Sequence, residues 1–164
     1  MPAAGKTYWG RKAAREYSLP FIDLDSFISE QEKASVSALF AMYGEAGFRE
    51  REHKYLKKLI ANNKTCTVVA CGGGTPCFNN NIELMKDAGV VIYLQADVPA
   101  LIARLKDSEE VRPLLRGKPD LAAYLNELLN KRKEVYEQAH YILQSANISL
   151  TTFAEIISLC TNRQ

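Results

Sequence analysis

Three consecutive residues near the start of the chain have side chains and a spacing that suit phosphate binding. Gly5, Lys6 and Thr7 match the second half of the pattern G-x-x-x-x-G-K-[ST]. In that pattern backbone N–H groups hold phosphates, the lysine reaches their oxygens and the hydroxyl binds Mg²⁺. The first glycine of the pattern would fall one residue before Met1. A G-K-T tripeptide also occurs by chance in chains that bind no nucleotide, so other residues must decide between the two interpretations.

Two acids follow a short apolar run in the segment F-I-D-L-D. Residues two apart on an extended chain point to the same side, so the sequence predicts that Asp23 and Asp25 lie together at the carboxyl end of a strand. One carboxylate there could reach Mg²⁺ while the other accepts a hydrogen bond from a substrate hydroxyl. The alternative is a pair of solvated acids that cap the next helix.

A run of three glycines is the most informative local feature. Gly72, Gly73 and Gly74 come directly after the β-branched segment T-C-T-V-V-A-C. Glycine lets the backbone approach a ligand closely or adopt a positive φ. A plain turn rarely needs three glycines, so the run favours contact with a ligand.

Three arginines could bind anions, but none is decisive alone. Arg49 lies in a charged segment, G-E-A-G-F-R-E-R-E, of the kind that is usually a solvated helix face. Arg112 follows a charged stretch and could close over phosphates as part of a mobile flap. Arg132 lies in K-R-K on a long helix, where a solvated basic face is the alternative.

The elements that must position these residues alternate along the chain. Strands that are apolar on both faces, separated by helices, predict an α/β fold with a parallel sheet covered on both sides. Helices are predicted over 7–17, 26–60 with breaks at 33–35 and near 44, 81–88, 98–106, 118–138 and 151–160, and strands around Phe21, Val68, Val91 and Ile142.

No predicted strand precedes the phosphate loop. In α/β sheets that bind phosphates the strand leading into the loop belongs to the sheet, and ligands lie at the carboxyl ends of the strands. We therefore expect a fifth strand to be missing from the front of the chain. Residues 1–164 are expected to form one domain, with a helical substrate-binding region at about 26–62 and a lid at about 106–119.

Composition limits the classes of partner. The chain has 164 residues, 47% hydrophobic and 24% charged, which suits one globular domain. Its 21 basic and 19 acidic residues are interspersed, unlike the basic stripe of a nucleic-acid binder. Without a membrane-length apolar run or a signal segment, we expect a cytoplasmic protein that binds small molecules and neither nucleic acid nor membrane. Its four cysteines lack C-x-x-C spacing, so reduced thiols are expected and a zinc site is not.

The order of the motifs resembles that of shikimate kinases. G-K-T, F-I-D-L-D, G-E-x-x-F-R, G-G-G, R-P-L-L and K-R-x-x-x-Y follow one another between residues 4 and 146. In that family the loop often reads G-M-P-x-x-G-K-[ST], which would place a glycine before Met1. The resemblance implies a P-loop α/β/α kinase of the nucleoside monophosphate kinase-like fold, a monomer. It would use ATP and Mg²⁺ to phosphorylate the 3-hydroxyl of shikimate, on the route to chorismate and aromatic amino acids.

The resemblance also implies a role for each candidate residue. Lys6, Asp25 and Arg112 would be catalytic: Lys6 contacts the β/γ phosphates, Asp25 orients or deprotonates the 3-hydroxyl, and Arg112 stabilises charge on the transferring phosphoryl group. Arg49 and Arg132 would bind the shikimate carboxylate, with Glu52 bracing Arg49. Mg²⁺ would be held by Thr7 and Asp23. The nucleotide would be bound by Ala3, Ala4, Gly5, Lys6, Thr7, Arg104 and Arg112, and shikimate by Asp25, Phe48, Arg49, Gly72, Gly73, Gly74 and Arg132.

Two other functions are compatible with parts of this pattern. The first is another P-loop small-molecule or nucleotide kinase, such as a gluconate or nucleoside monophosphate kinase. The pair Arg49 and Arg132 disfavours it, because two arginines suit a polyhydroxy acid with one carboxylate. The second is a catalytically silent nucleotide-binding module, which the incomplete loop would explain. That interpretation is disfavoured because the chain retains a complete set of catalytic groups: Lys6, Thr7, Asp23, Asp25 and Arg112.

Overall fold

The structure is a computed structural model that describes residues 1–106 and 120–161. The predicted lid, including Arg112, therefore lies outside the described residues except at its first position. The elements in chain order are α1 (Lys6–Glu16), β1 (Phe21–Asp23), α2 (Leu24–Glu32), α3 (Val36–Asn62), β2 (Val68–Ala70), a 3₁₀ turn (Thr75–Cys77), α4 (Asn81–Ala88), β3 (Ile92–Gln95), α5 (Val98–Lys106), α6 (Leu121–Tyr136), β4 (Tyr141–Gln144) and α7 (Leu150–Thr161).

The predicted breaks in the long helical segment are confirmed. Lys33 adopts a left-handed conformation with φ 52°, which ends α2. Ser35 begins the next helix, because its side-chain oxygen accepts a hydrogen bond from the N–H of Ala38 at 3.2 Å. Gly44 then interrupts α3 with φ 66° and ψ −177°. These two breaks turn the segment so that the residues after Gly44 can face the first pair of strands.

The four predicted strands are present, but they do not form one continuous sheet. β1 pairs with β2 in parallel, and β3 pairs with β4 in parallel, as two separate two-stranded sheets. A cavity of about 640 Å³, which we call the interstrand cavity, is lined by β2 on one side and β3 on the other. The predicted parallel arrangement of the strands is confirmed, and among the described residues the two parallel pairs lie on either side of this cavity.

Each pair of strands packs on its own hydrophobic core. The first core contains Leu24, Leu39 and Leu56 from α2 and α3, which cover β1 and β2. The second contains Leu101 and Leu125 from α5 and α6, together with residues of β3. Burying one such leucine contributes about 1.5–3 kcal/mol to folding. β1 ends at Asp23, and the glycine run begins two residues after the last residue of β2, Ala70.

Candidate active site

The predicted phosphate loop turns directly into a helix. Gly5 has φ 89° and caps α1, whose first residue is Lys6. The N–H groups in the first turn of a helix lack partners inside the helix and attract anions. A cavity of about 210 Å³ lies beside this turn, and we call it the loop cavity. The predicted residues that line it are Ala3, Ala4, Gly5, Lys6, Thr7, Asp23, Asp25, Gly72 and Arg104.

Thr7 and Asp23 form a ready pair of oxygen ligands. The Thr7 hydroxyl donates a hydrogen bond to Oδ2 of Asp23 at 2.8 Å. The other carboxylate oxygen, Oδ1, accepts from the backbone N–H groups of Asp25 and Ser26 at 3.1 and 3.3 Å. Asp23 is thus held from two sides at the carboxyl end of β1. A hydroxyl and a carboxylate in this arrangement match the hard oxygen donors that Mg²⁺ prefers.

Asp25 lines the loop cavity, but it lies on a helix and not on the predicted strand. The chain is extended only as far as Asp23, because the cap formed by that carboxylate starts α2 at Leu24. Asp25 therefore lies in the first helical turn, where the helix dipole favours a negative charge. The prediction from strand alternation is wrong in its geometry. Both carboxylates nevertheless line the same cavity.

The first glycine of the G-G-G run brings three polar side chains close together. A Cβ added at Gly72 would lie 3.2 Å from Oδ1 of Asp25 and 3.1 Å from both Oε1 of Glu52 and Oγ1 of Thr75. These distances are tighter than most real Cβ contacts, so a larger residue would push the carboxylates apart. The absence of a side chain at Gly72 allows α2, α3 and the turn after β2 to meet here.

Arg49 is buried and held by carboxylates. Its side chain is 7% exposed, and Nη1 donates to Oε2 of the fully buried Glu52 at 2.7 Å. Nη2 donates to Oε1 of Glu45 at 3.2 Å, and the guanidinium lies 4.6 Å from the ring centroid of Phe78. The bracing of Arg49 by Glu52 is confirmed. The solvated-face interpretation fails for Arg49, because its charge is needed beside a buried carboxylate.

The Arg49 guanidinium still has an unused donor. Among the described residues, its buried Nε has no hydrogen-bond partner. A buried donor without a partner destabilises a protein by about 1–3 kcal/mol. Gly74 packs directly against this group, since a Cβ there would lie 2.5 Å from Cζ. A planar anion that reached Arg49 could accept the unused hydrogen bond.

Arg132 is buried on α6, one turn before a tyrosine that contacts the glycine run. Arg132 is 7% exposed, whereas Lys131 and Lys133 are exposed, so the solvated-face interpretation holds for the two lysines only. Four residues on, the Tyr136 hydroxyl donates to the carbonyl oxygen of Gly73 at 2.6 Å. Burial raises the pKa of Tyr136 to about 12, opposed by the positive charge of Arg132. The hydroxyl therefore remains a donor to Gly73 at physiological pH.

The two buried arginines lie in one neighbourhood. Burial raises the pKa of the Cys77 thiol, and the positive charges of Arg132 and Arg49 oppose that rise. The helices α3 and α6, which carry Arg49 and Arg132, both pack against the 3₁₀ turn that contains Cys77. The structure thus brings together two arginines that are 83 residues apart in sequence (132 − 49).

A buried polar network supports Arg49 and escaped sequence analysis. Oε1 of Glu52 accepts from the Thr75 hydroxyl at 2.6 Å, and Nδ2 of Asn81 donates to the Thr75 carbonyl at 2.8 Å. Nδ1 of His53 lies 2.6 Å from Oδ1 of Asn81. Sequence analysis assigned no role to Thr75, Asn81 or Tyr136, since the sequence pattern does not show whether such polar residues are buried or solvated. Only the spacing of Tyr136 from Arg132 gave a usable signal.

Three predicted residues have contacts that fit their assignments less directly. Arg104 donates from Nη1 to the Ala3 carbonyl at 3.3 Å, which places it beside the loop although it is exposed. The Lys6 ammonium donates to the Met1 carbonyl at 2.7 Å and so lies over the loop. Phe48 is 2% exposed and stacks on Phe40, with ring centroids 4.3 Å apart. Its predicted contact with shikimate stays a prediction.

Comparison with known proteins decides the family. The family model described as shikimate kinase matches residues 2–161. The chain belongs to the shikimate kinase family. It is 41% identical over 141 residues to the shikimate kinase of Bacteroides fragilis, covering 85% of this chain and 78% of the relative. With that of Phocaeicola vulgatus it shares 42% identity over 144 residues, covering 87% and 81%.

Solved structures of shikimate kinases have the same fold. The Bacteroides thetaiotaomicron enzyme matches with a TM-score of 0.87 and 34% identity, covering 95% of this chain and 93% of that one. The Acinetobacter baumannii enzyme, solved in complex with shikimate, matches with a TM-score of 0.83 and 33% identity, covering 96% and 87%. The predicted P-loop α/β kinase fold is confirmed, and with the family come ATP and Mg²⁺ as cofactors.

The pKa of the Cys71 thiol predicts how fast this residue is alkylated in the folded chain. Burial, followed by the carboxylates of Glu52 and Asp25, raises the pKa of the Cys71 thiol to about 12. Because only the thiolate reacts, alkylation by iodoacetamide at pH 8 should be about 10³-fold slower at Cys71 than at the same residue in urea. Peptide mass spectrometry of both samples measures the ratio. Equal rates in the folded and unfolded chain would contradict this environment.

Proposed function

We propose that this chain transfers the γ-phosphoryl group of ATP to the 3-hydroxyl of shikimate, giving shikimate 3-phosphate and ADP. One observation carries the proposal: the buried Arg49 has an unpartnered Nε beside the glycine run, in the same site as the Thr7–Asp23 pair. A carboxylate is planar and accepts two parallel hydrogen bonds from a guanidinium. The site therefore combines recognition of one carboxylate with groups suited to phosphate and metal.

The phosphate side of the site is built by α1 and β1. The N-terminal turn of α1 attracts phosphate oxygens, and Lys6 exchanges its bond to the Met1 carbonyl for a phosphate oxygen. Thr7 and Asp23 would hold Mg²⁺, which would neutralise charge on the phosphates. Arg104, beside the Ala3 carbonyl, lies where it can contact the base or ribose.

The acceptor side is built by α2, α3, α6 and the glycine run. Asp25 orients the 3-hydroxyl for in-line attack and accepts its proton. Arg49 and Arg132 bind the shikimate carboxylate. Because the ring is then held at its carboxylate end, the position of the 3-hydroxyl relative to the γ-phosphate is fixed. Gly73 presents its backbone to the acceptor, and the bond from Tyr136 fixes the orientation of that peptide group. Phe48 supplies apolar contact to the ring.

The setting of the reaction follows from the same proposal. Shikimate 3-phosphate leads to chorismate and the aromatic amino acids. We also propose that the chain acts in the cytoplasm, as a monomer, on two small substrates. No helix among residues 1–106 and 120–161 is long and apolar enough to cross a membrane.

Arg112, which lies outside the described residues, is the proposed cation that stabilises the transferring phosphoryl group. Arg112→Ala should bind ATP and shikimate with nearly unchanged affinity but turn over about 10³-fold more slowly, because a cation that stabilises the transferring phosphoryl group is lost. Calorimetric titrations and kcat for the variant measure the two effects. Near wild-type turnover would reject the assignment, and Arg116→Ala is a control four residues away.

The proposed function is tested by an assay of ADP release with ATP and Mg²⁺. Shikimate, gluconate and a nucleoside monophosphate serve as parallel acceptors. We expect turnover with shikimate alone. Turnover with a different acceptor would keep the kinase and overturn the substrate. Binding of ATP without turnover on any acceptor would leave a silent nucleotide-binding module.

A further inference from the structure

Glu45 places a second carboxylate on Arg49, the residue proposed to bind the acceptor. Oε1 of Glu45 accepts a hydrogen bond from Nη2 of Arg49 at 3.2 Å, while Oε2 of Glu52 accepts from Nη1 at 2.7 Å. Nη2 is therefore occupied before any acceptor arrives. An anion that needs this donor must take it from Glu45.

The two carboxylates on Arg49 differ in how easily they can be displaced. The Glu52 side chain is fully buried, and its other oxygen accepts from the Thr75 hydroxyl at 2.6 Å. Breaking a buried ion pair strongly destabilises a protein, because a charge is left without its partner. The Glu45 side chain is 47% exposed, so water can solvate its carboxylate once the bond to Arg49 is broken. Glu45 is thus the carboxylate that an anion can displace.

Displacement of Glu45 would open a pair of donors on Arg49. Among the described residues, the buried Nε of Arg49 has no hydrogen-bond partner, and Nη2 is the atom that Glu45 would release. Nε and Nη2 lie on the same side of the planar guanidinium, which binds a carboxylate best through two parallel hydrogen bonds. Glu45 therefore occupies one of the two donors that a substrate carboxylate would use.

Glu45 has room to move because it follows the break in α3. Gly44 has φ 66° and ψ −177°, and no atom of the described residues lies within 4 Å of a Cβ added there. Glu45 is the first helical residue after this break. A negative charge in the first turn of a helix is stabilised by the helix dipole. The carboxylate thus remains stabilised by the helix and by water after it leaves Arg49.

On the basis of the proposed function, we propose that Glu45 is an internal competitor of the acceptor. It occupies Nη2 of Arg49 in the empty site and is displaced by the carboxylate of shikimate. Every anion must break the same bond, so a small anion that contacts Arg49 alone binds weakly. Shikimate would also contact Asp25 and Arg132, and these contacts offset the displacement. Glu45 thus acts through Arg49 and keeps small anions out of the empty site.

Two substitutions at Glu45 separate displacement from charge repulsion. Glu45→Gln removes the charge with little change in shape, whereas Glu45→Asp keeps the charge on a side chain that is one methylene shorter. Calorimetric titration should show that both variants bind shikimate about two- to fivefold more tightly than wild type, the range for a partly exposed ion pair. KM for shikimate should fall as well, with KM for ATP unchanged.

A control variant and a second ligand complete the experiment. Glu50→Gln makes the same change of charge at an exposed position of the same helix, and it should leave both affinities unchanged. Benzoate is a planar carboxylate without the ring hydroxyls, and both Glu45 variants should bind it more tightly than wild type. A wild-type chain that did not phosphorylate shikimate would reject the proposed function, and the benzoate titrations would still test the displacement.

Three results would overturn the proposal. Tighter binding by Glu45→Gln but not by Glu45→Asp would mean that Glu45 acts by charge repulsion alone. Weaker binding by both variants would mean that Glu45 holds Arg49 in place for the acceptor. Unchanged affinity of both variants for shikimate and benzoate, or an equal gain in Glu50→Gln, would show that Glu45 does not compete for Arg49.

Discussion

Asp25→Asn is expected to lower kcat for shikimate phosphorylation by about 10²–10⁴-fold. Asparagine has nearly the same shape but cannot accept the proton of the 3-hydroxyl. Shikimate should still bind, because Arg49 and Arg132 hold its carboxylate independently of Asp25. Steady-state kinetics with both substrates varied, alongside shikimate titration by calorimetry, separates the chemical step from binding.

A neighbouring acid provides the control for Asp25→Asn. Glu30 is exposed on the same helix, and Glu30→Gln makes the same change of charge. It should leave kcat unchanged. Loss of Asp25 from the first turn of α2 destabilises the helix by only about 0.3–1 kcal/mol, so a folded variant is expected. Turnover of Asp25→Asn within a few-fold of wild type would exclude Asp25 as the base, because asparagine can still orient the hydroxyl through a hydrogen bond but cannot accept its proton.

Arg49→Met is expected to lower the free energy of unfolding by about 3–5 kcal/mol. The reason is Glu52, which is fully buried and would lose its ion pair with Arg49. In Arg49→Met/Glu52→Gln the buried charge is gone and the amide can still accept from Thr75, so most of the stability should return. Binding of shikimate should remain lost in both variants. Urea unfolding and shikimate titration provide the two readouts.

Arg51 gives the matched comparison on the same helix. It pairs with Glu32 at 3.6 Å, with the two side chains 25% and 20% exposed. Its ions lie farther apart than those of Arg49 and Glu52, and both side chains are less buried. Arg51→Met should therefore lower the free energy of unfolding by less than Arg49→Met does, and it should leave shikimate binding unchanged. If the double variant bound shikimate normally, Arg49 would serve stability alone. If it stayed as unstable as Arg49→Met, the buried charge would not be the cause.

Local signals in the sequence predicted most helices well. The bounds of α4 and α5 match the predicted 81–88 and 98–106, and the breaks at Lys33 and Gly44 lie where charged and glycine residues interrupt the apolar spacing. Strand positions were also predicted, because β-branched runs are distinctive. The predicted strand geometry of Asp25 was wrong. The side chain of Asp23 caps α2, so the helix begins at Leu24, directly after the last residue of β1.

Long-range contacts were beyond sequence reasoning. Nothing in the local pattern distinguishes the buried Arg132 from its exposed neighbours, because burial depends on where α6 packs. The hydrogen bond from Tyr136 to Gly73 joins residues 63 apart, and that from Thr75 to Glu52 joins residues 23 apart. Such pairs become visible only when the turn after β2 is placed against α3 and α6.

The proposed acceptor would contact helices that belong to both hydrophobic cores. Asp25 and Arg49 project from helices of the first core, whereas Arg132 lies on α6, which packs in the second. A shikimate carboxylate bound by both arginines would connect the two halves of the structure. The carboxylate would be bound between α3 and α6, and the 3-hydroxyl would lie beside Asp25 on α2. An acceptor that lacked the carboxylate would therefore bind more weakly and would leave the two halves unconnected.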